Sequence, residues 1–295
     1  VSAIKMKSLF YGLILSVISL SPLAARAEMV CDDTTDCITT GSWDLGIAFG
    51  YGQKTNPLKD YKDIPIYVLP TIAYYGDNWF FDNGAVGYTL TEQERFTVNL
   101  VTGFSSDRAF FYRWDPSNIF LAGSSRSFQQ IPMSAMPMQA SSEPPKIGEL
   151  ESRHFTYLGG IEAYVYNRFG TWRLALLHDL FDVHDGMEGQ VKWNYHLGHK
   201  NLSLDFAVFF DWKSQEVVSY YYGVRPSESA YWSDKYRAEN GWNRGAELTA
   251  RYHLTPEWEL LMTARYTRFA DTIAASPLLD EDDSYAYLIG AAYRF

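Results

Sequence analysis

The closing stretch, Ser284 to Phe295, reads SYAYLIGAAYRF, and its pattern decides the fold. Tyr285, Tyr287, Ile289, Ala291, Tyr293 and Phe295 put an apolar or aromatic residue at every second position. A period of two is a strand, not a helix. On the edge of a soluble sheet such a face invites pairing with another chain. In lipid the same face is required, because a sheet there satisfies its backbone only by closing into a barrel. An amphipathic strand in a soluble sandwich is the competing reading, and the rest of the chain weighs against it.

Aromatic residues form 17% of the chain, with 22 Tyr, 18 Phe and 9 Trp. Mean hydropathy is nevertheless -0.22, and past the N-terminal segment no apolar run reaches the length of a spanning helix. Outward apolar positions alternating with inward polar ones average to this bland value. Phe295 and Tyr293, the terminal aromatics, also resemble the signal by which outer-membrane barrels are delivered to their assembly machinery.

The N-terminus has the form of a targeting segment. Lys5 and Lys7 precede an apolar stretch from Leu9 to Leu20, and Ala25-Arg26-Ala27 offers small residues where a signal peptidase reads. Residues 1–27 are therefore expected to be a cleaved signal peptide, with translation starting at Val1 or Met6; a single spanning helix is the alternative. Removing it takes away three bases and no acid, leaving the mature chain more acidic than the formal -10 of the whole. That charge argues against nucleic acid as a partner. Residues 28–40 then form a periplasmic segment in which Cys31 and Cys37 are candidates for a disulfide, since export permits one. Lipidation of Cys31 lacks the small residues expected before it, and two thiols without histidine make half a metal site.

Alternation recurs along the chain. Ser42 to Gly52 carries Trp43, Leu45, Ile47, Phe49 and Tyr51 on one face and small or polar residues on the other. Further strands are expected at Ile64 to Tyr75, despite Pro65 and Pro70, at Trp79 to Leu90, at Phe96 to Phe104 and at Ala109 to Trp114. After a gap come Phe155 to Val165, Trp172 to Leu180, Val191 to Leu197 and Leu202 to Trp212, the last continuing with a bulge through Tyr222. Ala246 to Leu254, Trp258 to Tyr266 and the closing stretch complete about twelve. The expected fold is all-β, a single transmembrane antiparallel β-barrel over residues 41–295, its first strand pairing with its last. The segment 115–152, rich in Ser, Pro, Met and Gln, reads as a long outer loop whose Met133, Met136 and Met138 pack at the rim rather than bind a soft metal.

Bacterial barrels have short periplasmic turns, longer outer loops and both termini periplasmic. Parity then places Gly76 to Asn78, Ser105 to Arg108, Phe169 to Thr171, Gly198 to Lys200 and Thr255 to Glu257 on the periplasmic side. Thr91 to Glu94 and Asp182 to Glu188 fall outside.

Alternation also assigns an inner face. Glu162, Arg168, Arg173, Asp179, Lys192, Asp205, Asp211, Glu247, Arg251 and Arg265 point to the lumen with both signs in equal number. Glu162, Arg173, Asp179, Asp205, Glu247, Arg251 and Arg265 are the candidate charge network. A barrel of about twelve strands lies between the filled eight-stranded and open sixteen-stranded classes, so these residues either fill the interior or line a narrow pore. The stretch HDLFDVHDG, His178 to Gly186, is the best catalytic candidate, but His178 and Asp179 face opposite sides and no serine sits in a nucleophile context. The acidic run Asp280 to Asp283 reads as a solvated loop. No enzyme activity, metal or cofactor is expected.

Several stretches taken in order resemble one family. They are Asp63-Ile-Pro-Ile-Tyr67 with its Tyr-Tyr-Gly turn, Phe80-Phe-Asp-Asn83, Gly87-Tyr-Thr-Leu90, His178-Asp179, Tyr220-Tyr-Tyr-Gly-Val224, Ser276-Pro277 and the final Tyr-Arg-Phe. Together these are similar to the MipA/OmpV family, over nearly the whole mature chain. The resemblance implies a barrel in the outer membrane of a Gram-negative bacterium, in contact with its lipid and lipopolysaccharide. It also implies a scaffold that joins a murein transglycosylase to a murein synthase; a narrow small-solute channel or an adhesin is the alternative. The cysteine pair is not part of the resemblance.

Overall fold

The computed structural model describes residues 40–119 and 150–295. The expected signal peptide, the Cys31 and Cys37 pair and Met133, Met136 and Met138 lie outside the described residues. Twelve strands run antiparallel: β1 (Trp43–Lys54), β2 (Ile64–Tyr75), β3 (Trp79–Asp82), β4 (Ala85–Gln93), β5 (Phe96–Phe104), β6 (Tyr157–Asn167), β7 (Gly170–Asp179), β8 (Met187–His199), β9 (Leu202–Lys213), β10 (Gly241–His253), β11 (Trp258–Arg268) and β12 (Asp283–Arg294). They form one closed barrel in which β1 pairs with β12, from Gly46 opposite Arg294 to Lys54 opposite Ala286. First and last strands meet as the closing stretch requires, and no sheet edge is left at the seam.

The outward faces are aromatic and aliphatic. In β1, Trp43, Phe49 and Tyr51 are exposed, and in β7 so are Trp172, Leu174 and Leu176. At the end of the short turns, Trp43 lies against Tyr74 (5.2 Å), Tyr74 against Trp79 (4.7 Å) and Trp258 against Tyr293 (4.9 Å). Toward the other end Tyr51 meets Tyr67 at 6.3 Å, and Phe104 meets Tyr157 at 4.8 Å. Two aromatic girdles flanking an apolar band are the exterior of a membrane barrel.

The count of twelve is reached by a different partition from the one expected. Trp79 to Leu90 is two strands, because Asn83-Gly84, with φ of 48° and 93°, makes the tight turn that Asn-Gly favours. Ala109 to Trp114 is not a strand. Consecutive Phe110 and Phe111 are both buried, which a two-faced strand does not allow, and Asp107–Phe110 is a 3-10 helix. The continuation to Tyr222 is likewise a helix, Gln215–Tyr222, whose buried Val217, Val218, Tyr221 and Tyr222 recur at helical spacing. Two sidedness assignments reverse with the partition. The turn after β4 stands at the end that carries the start of β1 and the end of β12, and Ser105 to Arg108 opens a long connection at the other. We call these the turn end and the loop end.

Four connections at the loop end fold into a cap. Leu58, Phe110, Phe111, Val217, Val218, Tyr221, Tyr222, Val224, Ala238, Phe269, Ala270, Ile273, Leu278 and Leu279 share one apolar core. Each buried aromatic there contributes about 1.5–3 kcal/mol of hydrophobic stabilisation, so these connections are a packed layer rather than loose loops. A second apolar cluster, Ala48, Ile66, Leu69 and Leu288 with Leu261 and Ala292, lies on the inner faces of β11, β12, β1 and β2.

Candidate functional site

The interior holds a cavity of about 1020 Å³ with a ceiling at the loop end and charged walls. Phe110 and Phe269, which line its top and meet edge to face at 5.8 Å, belong to the cap core. Just beneath, buried Lys213 binds Asp107 (2.6 Å) and Glu188 (2.7 Å). Ser105 donates to Glu188 (2.6 Å) and the Tyr222 hydroxyl to Asp107 (2.8 Å). Burial, then the Asp107 carboxylate, pushes the Tyr222 phenol well above its ordinary range, so it remains a donor. Arg153 ties the cap together from its middle. Its guanidinium, 1% exposed, binds Glu228, Glu151 O (3.0 Å) and Gly223 O (3.0 Å), and Glu228 also accepts from the backbone of Glu151 and Arg225 at 2.9 Å each.

The middle of the lumen carries a continuous polar chain. Asn99 donates to Glu162 (3.1 Å), which binds Arg173 (2.8 Å); Arg173 reaches Gln190, and Gln190 donates to Asp211 (2.6 Å). Arg265 binds Asp211 (3.4 Å) and Glu247, and Glu247 takes Lys192. Charges alternate in sign around the wall, so each desolvated group meets an opposite one, as burial demands. Lower down, Asp205 pairs with Arg251 (2.6 Å) and His196 (2.8 Å), and Arg251 with Glu259 (3.8 Å). Exposure rises along this path, from 4% for the Glu162 side chain to 39% for Asp205 and 52% for His196. The lumen is therefore more accessible toward the turn end than beneath the cap.

Of the expected network residues, Glu162, Arg173, Glu247 and Arg265 stand in the central chain, with Lys192 and Asp211. Asp205 and Arg251 form the separate lower pair. Arg168 lies in the turn over the Phe169 ring (4.5 Å). Asp179 leaves the network, because it closes the connection after β7. It accepts from the backbone N–H groups of Phe181 (3.0 Å), His184 (2.7 Å) and Asp185 (3.1 Å) and from the Thr156 hydroxyl. His178, half exposed, pairs with Asp185 (3.4 Å), while His184 is buried between Tyr220 and Tyr221. The crowded stretch His178 to Gly186 is thus a folded corner. The acidic run is spread out as well, Asp280 toward Lys59 (3.8 Å), Asp282 to Arg268 and Asp283 to the Tyr266 hydroxyl (3.5 Å). Tyr293 packs on Trp258 and, edge to face, on Phe295 (5.0 Å), whose N–H donates to Leu45 O (2.9 Å).

One arrangement was invisible in the sequence. Ser203 Oγ lies 3.4 Å from His253 Nε2, and His253 Nδ1 lies 3.5 Å from Glu259. The order of types suits nucleophilic catalysis. Ser203, however, is 4% exposed, sits within the ladder opposite Arg251 and Gly198, and does not line the cavity that His253 and Glu259 face. A substrate carbonyl has no approach to it.

The family described as MltA-interacting protein MipA matches residues 45–295 of this chain. The MltA-interacting protein of Escherichia coli (strain K12) is 29% identical over 256 residues, which cover 86% of this chain and 91% of that protein. The outer membrane protein OmpV of Vibrio cholerae is 25% identical over 262 residues, covering 86% and 87%. The outer membrane protein Omp26La of Vibrio anguillarum is 22% identical over 258 residues, covering 86% and 87%.

Proposed function

The chain belongs to the MltA-interacting protein MipA family of outer-membrane β-barrels, and from that premise we propose that it works as a closed scaffold, presenting its turn end to a murein transglycosylase in the periplasm. The observation that carries this reading is the cap: an apolar core of fourteen buried residues lies across the loop end, so the lumen is covered there rather than running through the membrane as an aqueous channel. With the short turns periplasmic, the exposed turn residues Phe169 and Leu254 stand on the side where murein enzymes work. A relative named for its interaction with MltA supports the choice of partner; a murein synthase is the second partner of the same scaffold. No reaction is assigned to the lumen, and Phe295 with Tyr293 serves assembly.

The test is direct binding. Purified barrel in nanodiscs is immobilised and a soluble periplasmic transglycosylase is passed over it. Saturable binding that weakens on Phe169→Glu and Leu254→Glu supports the scaffold; equal binding to empty nanodiscs contradicts it.

A further inference from the structure

The barrel wall is thin between β2 and β5. β3 is four residues long, and β2 shares only three register pairs with it, from Ala73 to Tyr75. The β3–β4 hairpin turns back at Asn83-Gly84, and on its far side the ladder between β4 and β5 stops at Val101. Among the described residues, no strand pairs with this edge of β2 from Ile64 to Thr71, or with the facing edge of β5 beyond Val101. The result is a notch, open toward the loop end.

At the closed end of the notch the backbone groups are satisfied locally, as groups facing lipid must be. Ile72 N–H donates to Asn83 Oδ1 and its C=O accepts from Asn83 N–H, both at 2.8 Å, so this edge of Ile72 faces the hairpin. Strand alternation presents Pro70 on the same edge, where it has no N–H to leave unpaired. Opposite, the Thr102 hydroxyl accepts from Val86 N–H (3.1 Å) and donates to Val86 O (3.0 Å). A Cβ built at Gly103 meets nothing within 4 Å. An added strand would need the donor that Pro70 lacks, so these lips are made to stay apart rather than to pair.

The notch communicates with the lumen. Pro70 and Thr71 on one lip and Gly103 and Phe104 on the other all line the central cavity. Outside, Tyr67 and Val68 are exposed on the lipid face. Inside, the apolar patch of Ala48, Ile66, Leu69 and Leu288 begins at the notch. Above that patch Lys54 Nζ binds Asn118 Oδ1 (3.0 Å) and lies 4.4 Å from the Phe110 ring centre. The nearby carboxylates are committed elsewhere, Asp107 to Lys213 (2.6 Å) and Asp115 to Arg108 (2.8 Å). Lys54 is thus a lumen cation with no ion-pair partner among the described residues. Six residue steps along β1 lead from Ala48 to Lys54, about 20 Å of strand, which suits a long alkyl chain.

We propose that the notch between β2 and β5 is a lateral port that admits a long-chain carboxylate from the bilayer, its alkyl chain along Ile66, Leu69 and Ala48 and its carboxylate at Lys54. The port is independent of the scaffold role, since it uses neither the turn-end surface nor a protein partner. The whole protein in nanodiscs is titrated with cis-parinaric acid, a fluorescent long-chain carboxylate, and with its uncharged methyl ester, empty nanodiscs giving the background. Saturable binding of the acid is expected. Gly103→Trp fills the notch and weakens both probes, with Gly103→Leu as a smaller replacement should the first not fold. Lys54→Gln weakens the acid about tenfold, the scale of one charged hydrogen bond, and leaves the ester unchanged. Absence of saturable binding, unchanged binding by a folded Gly103 variant, or equal weakening of acid and ester by Lys54→Gln overturns the proposal.

Discussion

The buried pair Arg153 and Glu228 shows how much rests on single side chains in the cap. Both are enclosed, and Glu228 accepts from the guanidinium and from two backbone N–H groups. Removing one partner strands the other charge out of water, which costs about 3–5 kcal/mol, whereas replacing both with apolar residues is often neutral. Arg153→Met is therefore expected to loosen the cap, read as faster hydrogen exchange in the Gln215–Tyr222 helix, and Arg153→Met with Glu228→Leu to restore most of the protection. His184 gives the cap a pH dependence. Its Nδ1 accepts from Gly186 N–H (3.0 Å), and burial lowers its pKa below the ordinary 6.5, outweighing the upward pull of Asp179, Glu188 and Asp107 and adding to the downward pull of Lys213. The unfolded cap thus binds a proton that the folded cap refuses, so stability is full above about pH 6.5 and falls as pH drops through it. Protection factors in the cap, corrected for the intrinsic pH dependence of exchange, are expected to fall on acidification below that pH, and His184→Gln to flatten the fall. An unchanged slope in that variant would assign the dependence to other groups. Residues such as Glu162 and Arg265 were legible as lumen-facing, because alternation alone decides the face. Their partners were not, because partners depend on the stagger between strands. Asp179 was misassigned because a strand's last residue has the right parity while its carboxylate turns to the loop that follows.

Among the elements, the seam between β1 and β12 is the most demanding. Gly50 and Gly290 face each other there. A Cβ on Gly50 would lie 2.3 Å from Ile289 O, and one on Gly290 1.9 Å from Phe49 O, both fixed backbone atoms. Gly290→Val is expected to abolish the heat-modifiable, detergent-resistant form on electrophoresis. Gly103→Ala, facing open space, is expected to migrate as the unaltered protein; a folded Gly290→Val species would show that the seam tolerates a side chain. That β1 and β12 close the barrel was readable, since both carry an unbroken outer face from end to end. The seam from β2 to β5 was not. Phe80, Phe81, Asp82 and Asn83 continue the appearance of one strand through the Asn83-Gly84 turn, and the strand gained there offsets the one lost at Ala109 to Trp114, so the total stays even. The cap helix at Gln215–Tyr222 was hidden for a related reason. In VVSYYY the β-branched and aromatic residues suit a strand locally, and only packing against Ile273, Leu278 and Phe269 in the cap core selects the helix.

At the scale of the whole molecule, the barrel combines a lipid-facing exterior with an interior that is filled from one end. The cap core, the Lys213 cluster beneath it and the chain from Glu162 to Lys192 occupy the lumen in layers, and accessible volume remains toward the turn end. Such a body is suited to holding a surface in place at the inner side of the membrane. Planar-bilayer recording of the purified protein at moderate salt tests most directly whether the barrel is closed rather than conducting. A closed scaffold predicts insertion without steady current; reproducible ohmic steps from correctly folded, heat-modifiable protein would contradict it.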